Sequence, residues 1–331
     1  MAFLKTLLIV LASFVLFVLI CVVFGAVKLY RYAIRRRKPN YTFTDGLPLD
    51  RMRHKGEKKG AYEPLAEQGI KWMQAHKSEG EEVFITSHDG WRLRGALFPC
   101  DDPRALVIES HGFHSVAEAD FAPTMPFFEK EHCVVLQIDH RAHARSEGKQ
   151  LSFGVLERYD IKRWMHFAAE RYPGLPILLY GVSMGCASVM YAAELPDLPE
   201  SFCGVIADCG YDDPYKEVRW FVRHFFKIYF PDLVLRPANL ICRALAGFSL
   251  RVPPVSAGAD KIAVPVLYLH GTADDVVPPE NAKIICKALG ERAKLLIVDD
   301  ALHGGAYLEA PELVGNAMHE CIEQCIEKRN A

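Results

Sequence analysis

Short apolar runs alternate with stretches of helical periodicity from Glu82 to the end of this 331-residue chain. The alternation predicts a mostly parallel sheet with helices on both faces, an α/β fold. Asp89-Gly90 between two strand-like runs predicts a hairpin before it. The predicted strands are 82–87, 91–98, 105–109, 133–138, 176–180, 204–207, 265–269 and 294–298. The predicted helices are 122–130, 156–171, 184–194, 279–289 and 311–328.

Residues 212–257 interrupt this alternation, because they contain no clean strand pattern and carry several aromatic and basic residues. We predict a helical insertion that covers the strand ends as a lid, since insertions there build pockets in such folds. Trp220, Phe221 and Phe225 are its candidate substrate-binding residues. The alternative is an extra pair of helices that packs on the fold and has no part in binding substrate.

The N-terminal stretch 6–27 contains no charged residue and is dominated by Leu, Val, Ile and Phe. It matches the ~20 residues needed to cross the hydrocarbon core of a bilayer. A cleaved signal peptide and a buried core helix are the alternatives. However, no clear Ala-x-Ala site follows it, and it has no polar face. Residues 1–38 are therefore predicted to be a transmembrane anchor with a basic flank.

Charges around this stretch predict its orientation. Lys5 precedes it, and six basic residues follow: Lys28, Arg31, Arg35, Arg36, Arg37 and Lys38. The positive-inside rule then places the rest of the chain in the cytoplasm, as a single-pass membrane protein. Residues 39–80 are predicted to be a linker with a short amphipathic helix, and residues 81–331 a single folded domain.

Composition excludes some partners and cofactors. The 39 Lys and Arg residues nearly balance the 41 Asp and Glu residues, so the net charge of −2 gives no overall attraction to nucleic acid. The ten cysteines form no Cys-x-x-Cys pair and are predicted to be mostly buried free thiols. We predict no cofactor and no metal.

The segment Gly181-Val182-Ser183-Met184-Gly185 lies between a predicted buried strand and a predicted helix. The pattern Gly-x-Ser-x-Gly alone is weak evidence of a nucleophilic serine. Its position between a strand and a helix strengthens the prediction, because a sharp turn there exposes the serine oxygen above the sheet. A serine hydroxyl needs a base to take its proton. Ser183 is therefore the candidate nucleophile.

A carboxylate and a histidine follow Ser183 in the loops after later strands. His303 is the candidate base, and Asp274 is the candidate carboxylate that orients it and stabilises its charged form. Asp275 competes with Asp274 for this role, and either could be a surface acid. His270, at a strand end, is predicted to be structural.

If Ser183 attacks an acyl group, the oxygen of that group becomes negatively charged and needs hydrogen-bond donors to stabilise it as an oxyanion. The backbone amide of Met184 is one candidate, and that of Phe113, in the loop after strand 105–109, is the other. His111 and His114 in this loop leave a metal site open as an alternative, although two histidines without a third ligand are weak evidence.

The segment 139–148, Asp-His-Arg-Ala-His-Ala-Arg-Ser-Glu-Gly, resembles the Asp-x-Arg-Gly-His-Gly-x-Ser-x-Gly segment of α/β-hydrolases. Ala142 and Ala144 stand where that pattern has glycines. Together with His111-Gly112, Ser183, Asp274 and His303, the likeness covers the chain from about Glu82 to the end. It is nearest to the bacterial branch of BEM46-like and prolyl-oligopeptidase-like serine hydrolases, and it implies an esterase or a peptidase-like hydrolase.

Three functions follow from these residues. The first is a membrane-anchored hydrolase that cleaves carboxylic esters, with a small or lipid-like ester as substrate. The second is a peptidase of the prolyl-oligopeptidase type, which the absence of propeller-like repeats disfavours. The third is a non-catalytic binding protein on a hydrolase fold.

Overall fold

The computed structural model describes residues 2–36 and 63–330. Its strands are β1 (Glu81–Thr86), β2 (Arg92–Phe98), β3 (Ala105–Ser110), β4 (Cys133–Ile138), β5 (Ile177–Val182), β6 (Phe202–Asp208), β7 (Val266–Gly271) and β8 (Ala293–Val298). Its α-helices are α1 (Ala2–Ala33), α2 (Glu63–Ala75), α3 (Ala117–Phe121), α4 (Met125–Lys130), α5 (Glu157–Arg171), α6 (Met184–Ala193), α7 (Pro214–His224), α8 (Asp232–Ile241), α9 (Glu280–Leu289), α10 (Ala306–Glu309) and α11 (Pro311–Asn330).

All eight strands belong to one sheet in the order β1-β2-β4-β3-β5-β6-β7-β8. β1 and β2 form the predicted hairpin, β2 pairs antiparallel with β4, and β3 to β8 are parallel. The strands β3, β4, β5 and β7 are buried along their whole length, which is why they read as continuous apolar runs.

Helices cover both faces of the sheet. α5, α6 and α9 pack on one face, where Trp164, Met190 and Ile285 are buried. α2, α4 and α11 pack on the other, where Met73, Phe128 and Met318 are buried. The predicted α/β class and the mostly parallel sheet are therefore confirmed.

The interruption at residues 212–257 is helical, as predicted. It contains α7, α8, a π-helical turn (Cys242–Ala246) and a short 3₁₀ turn (Val255–Ala257). Asp213 caps α7, because its side chain accepts hydrogen bonds from the amides of Tyr215 and Lys216. This capped start fixes where the first lid helix leaves the strand end.

α1 changes environment along its length. Within the described part of the chain, it is the one helix long and apolar enough to cross a membrane, a test that signal sequences and core helices also pass. Its side chains are exposed from Phe3 to Cys21. From Ala26 onward, one face is buried, with Leu29 7% exposed, and Ile34, just after the helix, is 2% exposed. A Cβ on Gly25 would lie 2.9 Å from Val234 Cγ1, so α1 and α8 are in close contact there.

Backbone hydrogen bonds join the end of α1 to the globular part. Leu151 N donates to Ile34 O at 2.9 Å, and Arg36 N donates to Lys149 O at 2.8 Å. The Arg36 guanidinium also donates to Ala144 O at 2.8 Å. Most of the predicted linker, residues 39–62, lies outside the described residues, so the division into anchor, linker and domain stays a prediction.

Candidate active site

Ser183 lies at the predicted strand–turn–helix junction, between the end of β5 and the start of α6. Its backbone is left-handed, with φ 57° and ψ −116°, a conformation that costs a non-glycine residue ~1–3 kcal/mol. The flanking glycines permit this turn. A Cβ on Gly181 would lie 2.4 Å from Gly185 O, and one on Gly185 would lie 1.8 Å from Ser110 O. The turn presents the Ser183 hydroxyl at the N-terminus of α6.

The structure brings Ser183, His303 and Asp274 into one chain of hydrogen bonds. His303 Nε2 lies 2.8 Å from Ser183 Oγ, and His303 Nδ1 lies 2.8 Å from Asp274 Oδ2. Asp274 Oδ1 accepts from the amides of Val276 and Val277, each at 2.9 Å. Asp274, rather than the competing Asp275, is therefore the acid that contacts His303.

The charges in this chain favour proton transfer to His303. Burial opposes ionisation of Asp274, but hydrogen bonds from His270 and His303 outweigh it and lower the pKa of the carboxyl well below its usual range. Burial by itself lowers the pKa of His303, whereas the bond to Asp274 and its negative charge raise it, and the net shift is upward. His303 is thus a stronger base than an ordinary histidine.

Two further groups lie at this end of the sheet: His270, which the sequence predicts to be structural, and Asp208, which no sequence pattern singles out. His270 Nε2 lies 3.2 Å from Asp274 Oδ2 and 2.9 Å from Val277 O. His270 therefore holds the loop that carries Asp274 in place. Asp208, at the end of β6, is buried near both histidines, and burial raises its pKa to about 6. No pattern of spacing distinguishes either residue from an ordinary strand end.

The loop after β3 is held by side chains on both sides. Gly112 N donates to Asp120 Oδ2 at 2.7 Å, and His111 Nδ1 donates to Gly112 O at 2.8 Å. These bonds fix the backbone next to Phe113. Phe113 and Met184, the candidate oxyanion donors, both line the cavity that contains Ser183.

The histidines considered for a metal site are engaged otherwise. His140 N donates to His111 Nε2 at 3.1 Å, so both ring nitrogens of His111 contact backbone atoms. Burial lowers the pKa of His111 well below its usual range, which keeps the ring neutral. His114 Nε2 lies 3.2 Å from Tyr32 O, at the end of α1. These contacts give the two histidines a role in holding loops together.

Arg141 lies at the centre of the segment that resembles the α/β-hydrolase pattern. It is buried, and its guanidinium pairs with Asp160 at 2.6 Å and with Asp89 at 3.0 Å. Ala142 and Ala144 have φ of 60° and 37°, so the left-handed conformation that glycine favours persists without glycine.

A cavity opens beside Ser183. Of the three lid aromatics predicted to bind substrate, Phe221 lines it. Trp220 and Phe225 are 37% and 39% exposed and are not among the lining residues, so the prediction for these two is not supported. The cavity is lined by Leu29, Tyr32, Ala33, Phe113, Phe153, Ser183, Met184, Tyr211, Glu217, Val218, Phe221, Val276 and Val277.

One wall of this cavity comes from α1, through Leu29, Tyr32 and Ala33. The sequence gives no sign of this wall, because Leu29 and Ser183 are more than a hundred residues apart and no local periodicity reports such a contact. Glu217 and Tyr211 are likewise lining residues that sequence reasoning missed.

Two family models match parts of the chain: that of serine aminopeptidase, S33, over residues 101–243, and that of TAP-like protein over residues 234–325. Human monoglyceride lipase is 27% identical over 70% of this chain and 86% of its own length. An uncharacterized protein of Bacillus subtilis is 28% identical over 72% of this chain and 78% of its own.

Solved structures share the fold. An esterase from Pyrococcus furiosus superposes with a TM-score of 0.62 at 23% identity, over 76% of this chain and 93% of that one. An α/β hydrolase from Penicillium gives a TM-score of 0.58 at 16% identity, over 75% of this chain and 99% of its own. These matches agree with the sheet order, the turn at Ser183 and the resemblance of residues 139–148. The chain therefore belongs to the α/β-hydrolase superfamily.

Proposed function

We propose that this chain is a membrane-anchored serine hydrolase that cleaves carboxylic esters through an acyl-enzyme on Ser183. One observation carries the proposal. The hydrogen-bonded chain from Asp274 through His303 to Ser183 ends in a cavity that is almost entirely apolar. Such a cavity fits the acyl chain of an ester, and the serine lies at its wall.

In the acylation step, Ser183 Oγ attacks the ester carbonyl carbon while His303 Nε2 takes the hydroxyl proton. In this proposal, the backbone amides of Phe113 and Met184 donate hydrogen bonds to the oxyanion. Asp274 stabilises the imidazolium. The tetrahedral intermediate then collapses, the C–O bond to the alcohol breaks, and His303 returns the proton to the leaving oxygen.

In the deacylation step, a water molecule takes the place of the alcohol. His303 removes a proton from the water, and the resulting hydroxide attacks the acyl carbon. The bond to Ser183 Oγ breaks, His303 protonates that oxygen, and the carboxylic acid leaves. The same base serves both steps because its Nε2 faces the reacting oxygen each time.

Membrane anchoring is supported by the two environments of α1. Its first part, from Leu7 to Cys21, presents exposed and mostly apolar side chains, and its last turns form one wall of the cavity. Beside it the lid exposes further apolar groups, with Phe230 74%, Leu240 60% and Leu245 68% exposed. A bilayer would cover both surfaces at once. The basic flank supports a catalytic domain on the cytoplasmic side of the membrane. If protease treatment of intact cells removed this domain, the cytoplasmic placement would be wrong.

The substrate class is supported by the cavity and by the relatives. Monoglyceride lipases of three mammals are similar to this chain over about two thirds of it or more. The description of the S33 family model names an aminopeptidase, which keeps a peptidase as the second candidate. The apolar lining favours the ester.

A labelling experiment tests the proposal. A fluorophosphonate probe should label the detergent-solubilised wild-type protein and should not label Ser183→Ala. p-Nitrophenyl esters of two to twelve acyl carbons should then be cleaved, with a preference for chains long enough to fill the cavity. If folded wild-type protein takes up no probe, the hydrolase proposal fails and a binding role takes its place. Faster cleavage of aminoacyl p-nitroanilides than of any ester would favour the peptidase.

The pH profile should report on His303. Because the pKa of His303 is raised and the base must be neutral, kcat/KM should fall as the pH drops through a value above the ordinary histidine pKa of about 6.5. Asp274→Asn removes the negative charge that raises this pKa. We expect it to lower kcat/KM by about 10³–10⁴-fold and to move the acidic limb to lower pH.

The matched control for this profile is Asp275→Asn, the neighbouring acid in the same loop. It should leave the acidic limb within a few tenths of a pH unit of wild type. If Asp275→Asn gave the large loss and Asp274→Asn did not, the acid would be misassigned.

A further inference from the structure

The end of α1 is in contact with residues 139–148, the loop that resembles the α/β-hydrolase pattern. The Arg36 guanidinium donates one hydrogen bond to Ala144 O at 2.8 Å and another to Ser146 O. The Arg36 backbone amide donates to Lys149 O at 2.8 Å. The sequence assigns Arg36 only to the basic flank of the anchor. In the structure, its side chain binds backbone carbonyls of the folded domain.

The turn that Arg36 contacts has a strained backbone. Ala144 has a φ of 37°, in the left-handed region that is unfavourable for a residue with a Cβ. Ser146 N donates to His143 O at 3.0 Å, so a backbone hydrogen bond closes the turn. A planar guanidinium carries several N–H groups and can bind two carbonyls of such a turn at once. The Arg36 side chain therefore stabilises the turn that begins at His143.

His143 connects this turn to the loop after β3. His114 N donates to His143 Nε2 at 3.2 Å. Since a backbone amide can only donate, Nε2 carries no proton, and Nδ1 donates to Arg141 O at 2.9 Å. Burial and then the neighbouring His111 lower the pKa of His143 well below its usual range, and the charge of Arg36 acts in the same direction. The ring is therefore neutral, and its Nε2 is a fixed acceptor.

The amide that binds His143 belongs to the peptide directly after Phe113, the candidate oxyanion donor. His114 has a φ of 52°, so this loop also contains a left-handed residue that is not glycine. In the peptide directly before Phe113, Gly112 O accepts from His111 Nδ1 at 2.8 Å. Hydrogen bonds on both sides then fix the direction of the Phe113 amide. Stabilisation of an oxyanion depends on this direction, because the donor must already point at the developing charge.

We propose that Arg36 is a positioning residue for ester hydrolysis and acts through His143 on the loop that carries the Phe113 amide. The end of the anchor segment then helps to order the active site. This inference rests on the proposed esterase function and deepens it. His114 Nε2, which lies 3.2 Å from Tyr32 O, is a second contact between the same loop and α1, and it does not involve the Arg36 side chain. A change at Arg36 should therefore cause a partial loss of activity.

The first test replaces the Arg36 side chain in the detergent-solubilised full-length protein. Arg36→Gln should lower kcat for p-nitrophenyl butyrate by about tenfold, less than the about 10²–10³-fold lost with an oxyanion donor, and should change KM by less than about twofold. Arg36→Lys keeps the charge without the planar fork, and should lose about threefold. Arg35→Gln, at the adjacent exposed position, removes the same charge from the basic flank and should retain the wild-type kcat.

An inhibitor that forms an oxyanion distinguishes positioning from a general loss of structure. Ser183 Oγ adds to the carbonyl carbon of 1,1,1-trifluorohexan-2-one, His303 takes the hydroxyl proton, and the ketone oxygen becomes the oxyanion. Because this adduct resembles the transition state, its Ki should rise in Arg36→Gln by the factor by which kcat/KM falls. Hexan-2-ol forms no adduct and should bind wild type and Arg36→Gln equally.

A double-mutant cycle tests the route through His143. His143→Ala removes the acceptor and should lower kcat at least as much as Arg36→Gln does. If both side chains act on one contact, the double variant should lose about as much as His143→Ala alone. Two losses that multiply would show that Arg36 acts independently of His143 and would overturn this route.

The outcomes separate this inference from the proposed function. If folded wild-type protein takes up no fluorophosphonate, the esterase itself fails. With normal labelling, a wild-type kcat and Ki in Arg36→Gln would overturn the positioning role alone. An equal loss in Arg35→Gln would also overturn it, since the charge of the flank would then be the cause, and so would a loss confined to KM. If Arg36→Gln melts below the assay temperature, Arg36→Lys provides the same comparison of kcat with Ki.

Discussion

Replacing Ser183 with alanine should lower the rate of ester hydrolysis by about 10⁴-fold or more. In the proposed mechanism, the hydroxyl oxygen bonds to the acyl carbon, and His303 Nε2, which lies 2.8 Å from that oxygen, takes its proton. Steady-state assays with p-nitrophenyl butyrate measure the loss. Residual turnover above about one hundredth of wild type would contradict the assignment of Ser183.

Ser183→Gly is the informative control for this loss. The left-handed φ of 57° strains serine and alanine alike, whereas glycine adopts it freely. Glycine also loosens the unfolded chain, which offsets part of the gain. We expect the glycine variant to be as inactive as the alanine variant but about 1 kcal/mol more stable in denaturant unfolding. Equal stability of the two variants would mean that the turn stores no strain.

Removing residues 1–36 should destroy most of the activity, whereas removing residues 1–24 should preserve it. The shorter deletion takes away the exposed apolar part of α1 and leaves Leu29, Tyr32 and Ala33 in the cavity wall. The longer one also removes the buried face of α1. Each large apolar side chain lost from the interior, such as Leu29 or Ile34, costs roughly 1.5–3 kcal/mol.

Both deletions can be compared with wild type in one detergent, by thermal melting and by hydrolysis of butyryl and decanoyl esters. The 1–36 deletion should melt at a clearly lower temperature and lose decanoyl hydrolysis first. Leu29→Trp, which narrows the cavity without removing the helix, is the matched point variant. It should slow decanoyl hydrolysis by about tenfold and affect the butyryl ester less. Wild-type melting and kinetics after removal of residues 1–36 would show that the wall is dispensable.

The sequence predicts the central strands of the sheet well because they are buried on both faces. Cys133–Ile138, for example, is apolar at nearly every position and is bounded by polar residues, so its ends can be read directly. The sequence also singles out Ser183, Asp274 and His303, which the structure joins by hydrogen bonds, and their roles as nucleophile, acid and base stay a prediction. They occupy the loops that follow strand ends, and the chain order of the three is typical of this architecture.

The lining of the cavity was not predictable to the same degree. Trp220 and Phe221 are adjacent on α7, and successive residues on an α-helix point about 100° apart. One of the two must face away, and the sequence does not specify which. Glu217, on the same helix, reads as a surface acid until the structure shows its side chain buried. The cavity wall that α1 supplies depends on contacts between residues more than a hundred positions apart in the chain, which no local sequence pattern reports.

The hydrogen bonds between the last turn of α1 and residues 149–151 have a mechanical consequence. A flexible tether would let the catalytic domain rotate freely above a bilayer, and its entrance would face the lipid only part of the time. Here the last turns of α1 are themselves part of the cavity wall, so the direction of the helix axis and that of the cavity are coupled. In a membrane, the tilt of the helix then sets the direction of the entrance, and an amphiphile diffusing within the leaflet needs only a two-dimensional search to reach it.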